Sequence, residues 1–246
     1  SAGVVEFAAM LQARELVKHY GVGDGEPIRA VDGVSLAIEP GEFVALYGPS
    51  GSGKSTLIDL IAGFLQPDSG TVQIDGCDMA RLSETEHARM LLQVLGIVGG
   101  TDDLLQGASA IENAALKLLR SDVRHATTIV QPLLEELGLA QRMDYPIRRL
   151  SMGERQRVLV AQALALGPKL VLADEPTAHL DTQRSREVLG LLRDLCRRRG
   201  AAILLTTHDP QAVGFADRAH ELRDGQLHNY EPDELFPAPG ALVERA

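Results

Sequence analysis

Short apolar runs alternate with amphipathic stretches along this chain, and the alternation predicts a mixed α/β protein. Continuous apolar runs are typical of strands buried on both faces of a sheet, whereas apolar residues spaced three and four apart are typical of helices. The first third is mainly strand-like, with a helix predicted over residues 57–64. The predicted strands of this part cover residues 13–18, 33–38, 43–47 and 70–75.

The middle of the chain, from about residue 80 to 165, is predicted to be mainly helical. Three helix starts there have a serine followed three residues later by a glutamate, a pair in which each side chain satisfies a free amide of the first turn. These pairs are Ser83/Glu86, Ser109/Glu112 and Ser151/Glu154. The pattern predicts a helical subdomain inserted into an α/β core, and not two domains in series.

The last third returns to alternating strands and helices. Apolar runs at 170–173 and 201–206 predict buried strands, and residues 181–199 predict a helix that Gly200 ends. Asp224-Gly225 lies between two further strand-like runs and predicts a hairpin.

One folded domain is therefore predicted over residues 11–228. The tail at 229–246 is rich in proline and acidic residues, and we expect it to be partly disordered or to bind a partner.

Composition narrows the possible partners and the environment. The 246 residues have a net charge of −10, which argues against broad nucleic-acid binding because that function needs a basic surface. The two cysteines, Cys77 and Cys196, lie far apart without metal-type spacing, as expected for reduced thiols in a cytosolic protein. No apolar run approaches the length of a membrane span and the N-terminus does not resemble a secretory signal, so we expect any membrane role to depend on a partner.

The strongest chemical signal is a glycine-rich loop between the predicted strand 43–47 and the helix that follows. It fits the phosphate-binding pattern G-x-x-x-x-G-K-[ST] without a mismatch. Such a loop points successive backbone amides at phosphate oxygens, its lysine adds a positive charge, and its first hydroxyl is a hard oxygen ligand for Mg²⁺. The loop predicts binding of a nucleoside triphosphate by Gly48, Pro49, Ser50, Gly51, Ser52, Gly53, Lys54, Ser55 and Thr56.

A second cluster follows the predicted strand 170–173, which delivers two carboxylates to its C-terminal end. Ligands bind at that end of the strands in open α/β sheets. Asp174 has the chemistry to hold Mg²⁺ together with Ser55. Glu175 comes next, and a carboxylate there can orient and deprotonate a water that attacks the terminal phosphate.

Residues 150–157, Leu-Ser-Met-Gly-Glu-Arg-Gln-Arg, form a third element that alone predicts only a capped helix start. In this order and spacing, the phosphate loop, this segment and the Asp-Glu strand resemble the nucleotide-binding subunit of ATP-binding-cassette (ABC) systems. The resemblance extends from Tyr20 to about Leu227. It implies the P-loop fold of ABC type, in which a mixed-sheet core carries an antiparallel β subdomain and an inserted α-helical subdomain.

The resemblance also implies roles for single residues. Tyr20 matches the aromatic residue that stacks on adenine, and His208 matches a histidine that contacts the terminal phosphate. Ser151 and Gly153 match a segment that contacts ATP bound by a second subunit. Asp181 matches an acidic residue of the loop that crosses to that subunit, although it could equally cap the helix after it.

The implied assembly has two such subunits closing around two ATP molecules and a separate integral membrane permease. The motifs are most similar to the lipoprotein-releasing, macrolide-exporter and cell-division branch, whose members drive export or transmit force across the membrane. The resemblance thus implies an ATP- and Mg²⁺-dependent ATPase at the cytoplasmic face of the inner membrane. It implies no nucleic-acid partner.

Two positions depart from the family pattern. Gly100 stands where a glutamine normally contacts Mg²⁺ or the attacking water, and Met152 stands where the signature segment normally has glycine. Because Glu175 is present, we expect slow or partner-dependent hydrolysis and not its absence. An alternative is a partly degenerate regulatory subunit that binds nucleotide with little turnover, and a cassette acting in DNA repair or translation is a further candidate.

Overall fold

The computed structural model describes residues 9–21, 26–118, 123–230 and 238–241. Two sheets and a group of helices make up this part of the chain. The strands are β1 (Leu11–Tyr20), β2 (Ile28–Ile38), β3 (Phe43–Tyr47), β4 (Ser69–Ile74), β5 (Cys77–Asp78), β6 (Leu95–Val98), β7 (Leu170–Asp174), β8 (Ala202–Thr207), β9 (Arg218–Arg223) and β10 (Gln226–Asn229). The helices are α1 (Lys54–Ala62), α2 (Glu84–Gln93), α3 (Ala110–Ala114), α4 (Val123–Glu136), α5 (Met152–Leu164), α6 (Thr182–Arg199) and α7 (Pro210–Val213).

The core sheet has six strands in the order β10-β9-β3-β8-β7-β6. Its strands run parallel except for β10, which forms the predicted antiparallel hairpin with β9. The side chains of β3, β7 and β8 are almost all buried because helices cover both faces, as the continuous apolar runs predicted. The carboxyl ends of β3, β7 and β8 therefore meet at one edge.

A second sheet of four strands, in the order β2-β1-β4-β5, is antiparallel throughout. Its inner face packs with α1, α2 and one face of the core sheet in a hydrophobic cluster that includes Leu16, Val34, Leu57 and Leu172. A second cluster joins the other face of the core sheet to α3–α7. The P-loop fold of ABC type, with its antiparallel and helical parts, is confirmed.

All three predicted serine–glutamate caps are present. Ser83, Ser109 and Ser151 each accept a hydrogen bond from the third amide of their helix, while the paired glutamate accepts from the amide of the serine. The glutamates Glu112 and Glu86 owe a lowered pKa to these hydrogen bonds. Local sequence therefore set the start of α2, α3 and α5.

Several boundaries differ from those predicted: β1 and β2 are longer than the predicted strands 13–18 and 33–38, and the largest other differences concern α1 and the helical part. The first helix begins at Lys54 and not at residue 57, because the polar end of the phosphate loop forms its first turn. It ends at Ala62, since Gly63 closes it in a left-handed conformation at φ 76°. The predicted helical range of 80–165 contains β6, a strand of the core sheet, so helices α3–α5 form the insertion between β6 and β7.

Within the described ranges, no helix has the length and apolar character to cross a membrane. The tail predicted from residue 229 falls largely outside the described ranges, at residues 231–237 and 242–246. The extent of the folded domain, 11–228, stays a proposal.

Candidate nucleotide site

The phosphate loop connects β3 to α1. Two of its residues must be glycine because neighbouring backbone leaves no room for a side chain. Gly53 has φ 103°, and a Cβ there would lie 1.9 Å from the carbonyl oxygen of Ala30. A Cβ at Gly48 would lie 2.3 Å from the carbonyl oxygen of Leu222. Any other residue at these positions would push the loop off the neighbouring strands, so glycine is required for the loop to keep its shape.

Lys54, the first residue of α1, has a side chain that is only 3% exposed. Its Nζ donates to the carbonyl oxygens of Gly48 at 2.8 Å and Pro49 at 2.9 Å, and it forms an ion pair with Oε1 of Glu175 at 3.1 Å. A buried ammonium is stable only when it is paired and hydrogen-bonded. The loop thus holds a fixed positive charge at its mouth.

Ser52 supplies a further sign that the loop is built for an anion. Its Oγ is buried and has no hydrogen-bond partner among the described residues. Buried hydroxyls are nearly always paired in folded proteins. A buried hydroxyl without a described partner, in the same loop as the Lys54 ammonium, fits a loop whose ligand is a phosphate.

Glu175 follows β7 directly and lies between two positively polarised groups. Its Oε1 faces Lys54, and its Oε2 accepts a hydrogen bond from Nδ1 of His208 at 2.7 Å. Partial burial by itself would raise the pKa of the Glu175 carboxyl, but the hydrogen bonds from Lys54 and His208 outweigh it and hold the pKa below its ordinary value. Glu175 is therefore ionised at neutral pH.

An unusual backbone conformation aims this carboxylate. Glu175 has φ 44°, a left-handed conformation that non-glycine residues rarely adopt. Its amide donates to Oγ1 of Thr206 at 3.0 Å, and the same hydroxyl donates to Oδ1 of Asp174. Thr206 thereby fixes both acidic residues, and it was not among the predicted site residues. Its signal is non-local, because Thr206 lies opposite Asp174 in the parallel pairing of β7 and β8.

A cleft of about 370 Å³ lies beside this group. Ser55 from α1 and Asp174 from β7 line it, so the two oxygen ligands predicted for Mg²⁺ face the same space. Gly100 and Met152, the two departures from the family pattern, line the cleft as well.

Ser151 caps α5, and Gly153 is buried in its first turn. Ser151 and Met152 are both exposed, so this helix start presents its surface outwards from the chain. Asp181 caps α6, because its carboxylate accepts a hydrogen bond from the amide of Arg184 at 3.0 Å. Asp181 therefore has the helix-capping role that the sequence allowed, whereas its role towards a second subunit stays a prediction.

Tyr20 is the last residue of β1 and is 40% exposed. The Nζ of Lys18 lies 6.0 Å from the centre of its ring. The partial exposure of this ring at the end of the antiparallel sheet is compatible with stacking on a base. Contact of Tyr20 with adenine stays a prediction.

The fold and the site together define a nucleotide-binding protein with a phosphate loop. Comparison with known proteins narrows the class, since residues 31–178 match the family model described as ABC transporter. This chain belongs to the ABC transporter family.

The chain covers nearly all of one curated relative but only about a third of another. It is 38% identical to the lipoprotein-releasing system ATP-binding protein LolD 2 of Chlorobaculum tepidum over 92% of the chain and 94% of the relative. It is 39% identical to the pyoverdine export ATP-binding/permease protein PvdT of Pseudomonas aeruginosa over 96% of the chain, but spans only 36% of that protein. The chain therefore corresponds to about a third of the relatives that combine an ATP-binding part with a permease.

Solved structures agree with the fold. A dimeric ATP-binding cassette bound to ADP and Pi, in a post-hydrolysis state, is 30% identical, with a TM-score of 0.81 over 91% of this chain and 100% of that one. A Clostridium perfringens cassette that is part of an ABC transporter complex is 29% identical, with a TM-score of 0.78 over 90% of this chain and 88% of that one.

Proposed function

We propose that this chain is the ATP-binding and ATP-hydrolysing subunit of a membrane ABC transporter complex. One observation carries the proposal. An ionised carboxylate, Glu175, lies between the buried phosphate-loop ammonium of Lys54 and the imidazole of His208. The arrangement supports a role for Glu175 as a general base beside the phosphate-binding loop, as hydrolysis of a phosphoanhydride requires.

In this proposal the loop binds the phosphates of ATP, and Tyr20 contacts the adenine base. The loop amides and Lys54 meet the phosphate oxygens, and the unpaired Ser52 hydroxyl lies in the same loop. Stacking on Tyr20 adds about 1–3 kcal/mol with little preference for the base. Ser55 and Asp174 would hold Mg²⁺, which when bound neutralises charge on the phosphates.

Hydrolysis requires Glu175 to leave Lys54. The terminal phosphate competes with the Glu175 carboxylate for the Lys54 ammonium, because both are anions near one buried cation. The released carboxylate then orients a water and accepts its proton, while His208 donates a hydrogen bond to the terminal phosphate. Binding of substrate thus frees the base.

A second subunit is part of the proposal. The start of α5, where Ser151 is exposed and Gly153 lies buried in the first turn, would face ATP bound by the partner copy, and Asp181 would lie at the same interface. The dimeric cassette with ADP and Pi supports this assembly. A homodimer and a heterodimer are both compatible with it.

The names of the relatives, a pyoverdine export ATP-binding/permease protein and an ATP-binding protein of a lipoprotein-releasing system, support a membrane partner and a role in export. Transmission of force across the membrane stays the alternative that the resemblance implies. We therefore propose a permease partner and a position at the cytoplasmic face of the inner membrane. The role of the tail beyond residue 228 in binding that partner is part of the same proposal.

Turnover is proposed to be slow or partner-dependent because Gly100 has no side-chain oxygen to offer the cleft. Loss of one neutral polar contact corresponds to about 1–3 kcal/mol. A purely regulatory subunit is the less favoured alternative, since Glu175, His208, Lys54 and Asp174 are all retained and grouped.

The decisive experiment compares steady-state ATP hydrolysis by the wild type and by Glu175→Gln, each with and without a co-purified membrane partner. Turnover that the partner stimulates and that Glu175→Gln abolishes supports the motor. If ATP binds but the wild type never exceeds the variant in either setting, the ATPase proposal fails and the regulatory alternative stands.

A further inference from the structure

One hydrogen bond connects the loop that contains Gly100 to Met152, the other position at which this chain departs from the family pattern. Thr101, the neighbour of Gly100, donates from its hydroxyl to the Sδ atom of Met152 at 3.3 Å. Thr101 begins a short 3-10 turn, Thr101–Asp103, and Met152 begins α5. The contact therefore connects the loop after β6 to the helix start that carries Ser151 and Gly153.

A second contact lies one helical turn further along α5. Gln156 is 4% exposed, and its Nε2 donates a long hydrogen bond of 3.5 Å to the carbonyl oxygen of Gly99. Residues four apart share one face of a helix. One face of α5 thus holds the loop on both sides of Gly100, through Gly99 and Thr101.

Gly100 itself gives the loop no side-chain anchor. It has extended backbone angles of φ −75° and ψ 155°, and a Cβ there would meet nothing within 4 Å. Its neighbours carry the contacts to α5 instead. The thioether of Met152 is flexible and 37% exposed, so its direction depends on a partner such as the Thr101 hydroxyl.

We propose that Thr101 is a positioning residue, which through Met152 fixes the start of α5 relative to the cleft lined by Ser55 and Asp174. The inference rests on the proposed function, in which Ser151 and Gly153 meet the nucleotide of a second subunit. When the Thr101 hydroxyl is bonded to Met152, the Met152 side chain lies along the loop after β6. It then does not cover the surface around Ser151 that the second subunit must approach. Without it, the side chain samples positions across the surface that the partner's phosphates must reach.

The test measures ATP-dependent dimerisation by sedimentation, using the full chain in a Glu175→Gln background so that ATP persists. Thr101→Val keeps the shape and removes the donor, whereas Met152→Leu keeps the bulk and removes the acceptor. Thioethers accept weakly, so loss of the bond corresponds to about two- to fivefold per contact. A dimer of two copies contains the bond twice, so its dissociation constant should rise about four- to 25-fold.

Four comparisons separate positioning from general damage. Thr101→Ser retains the donor and should dimerise within twofold of the parent, and the Thr101→Val/Met152→Leu pair should add nothing to either single change. ATP affinity of the monomer should stay within twofold. Thr71→Val, at an exposed position of β4, is the matched control and should leave dimerisation unchanged.

The outcomes also distinguish this inference from the proposed function. A parent that dimerises with ATP, together with a Thr101→Val variant that dimerises equally well, overturns the inference alone. Equal losses in Thr101→Val and Thr71→Val do the same. A parent that binds ATP without any dimer overturns the proposed assembly, and the inference with it.

Discussion

Lys54 and Glu175 form an ion pair between a buried ammonium and a partly exposed carboxylate, with 3.1 Å between Nζ of the lysine and Oε1 of the glutamate. The ammonium that should meet the phosphates of ATP is thus already paired with the carboxylate that should activate water. The buried ammonium depends on an anionic partner, because an unpaired charge there is costly. When ATP binds, a phosphate must replace the Glu175 carboxylate at the Lys54 ammonium. The affinity for ATP and the release of Glu175 as a base are therefore linked.

Removing the Glu175 charge should therefore tighten ATP binding as well as abolish turnover. In Glu175→Gln no carboxylate competes for Lys54, and we expect the dissociation constant for ATP to fall roughly fivefold, corresponding to about 1 kcal/mol for a partly screened pair. Calorimetric titration with ATP measures it. Glu135→Gln, at an exposed position of α4, is the matched control. Unchanged or weaker binding in Glu175→Gln would contradict the competition.

Removing the Lys54 charge should have the opposite effect on affinity. Hydrogen bonds to a charged group are each worth about 1.5–3 kcal/mol, so Lys54→Ala should weaken ATP binding by roughly ten- to 150-fold. The same titration measures it, with Lys169→Ala as the control, because Lys169 is 55% exposed and pairs with Asp75 at 2.6 Å. A loss of less than threefold would show that Lys54 does not contact the phosphates.

Restoring the missing amide at position 100 should accelerate hydrolysis. The backbone there is extended and a Cβ meets nothing within 4 Å, so Gly100→Gln fits without strain and can place its amide in the cleft beside Ser55 and Asp174. One recovered polar contact in the transition state gives about a tenfold rise in kcat.

Steady-state hydrolysis at saturating ATP and Mg²⁺ measures this effect of Gly100→Gln. Gly107→Gln is the control, because that glycine is exposed and a Cβ there also meets nothing within 4 Å. A kcat that stays constant or falls in Gly100→Gln would mean that the glycine does not limit turnover.

The sequence predicted the parts of the site that local order determines. The phosphate loop, Asp174 and Glu175 each follow a recognisable strand, and three helix starts follow from serine–glutamate pairs. The early start of α1 was missed because its first turn is polar loop sequence.

Residues that act through pairing between distant segments could not be predicted. Thr206 reaches Asp174 only through the register of β7 and β8, and Thr101 reaches Met152 across 51 positions of the chain. The ion pair of Lys54 with Glu175 is likewise a product of tertiary packing. Patterns of residues identify the chemistry of such groups, whereas their contacts depend on how the strands and helices meet.

The two cysteines should differ sharply in reactivity, which gives a simple test of the packing around α6. Cys196 lies on the buried face of that helix, and burial raises the pKa of its thiol to about 12 in spite of the nearby Arg199 charge. Because only thiolate reacts, and its fraction at pH 8 would be about 10⁻⁴, Cys196 should resist a thiol reagent in the folded chain. Cys77 is exposed in β5 and should react.

Titration with an aromatic disulfide measures this difference between the two thiols. It should count one fast thiol in the native chain, two in guanidinium chloride, and none that is fast in native Cys77→Ser. Two equally fast thiols in the native chain would show that α6 does not pack as described.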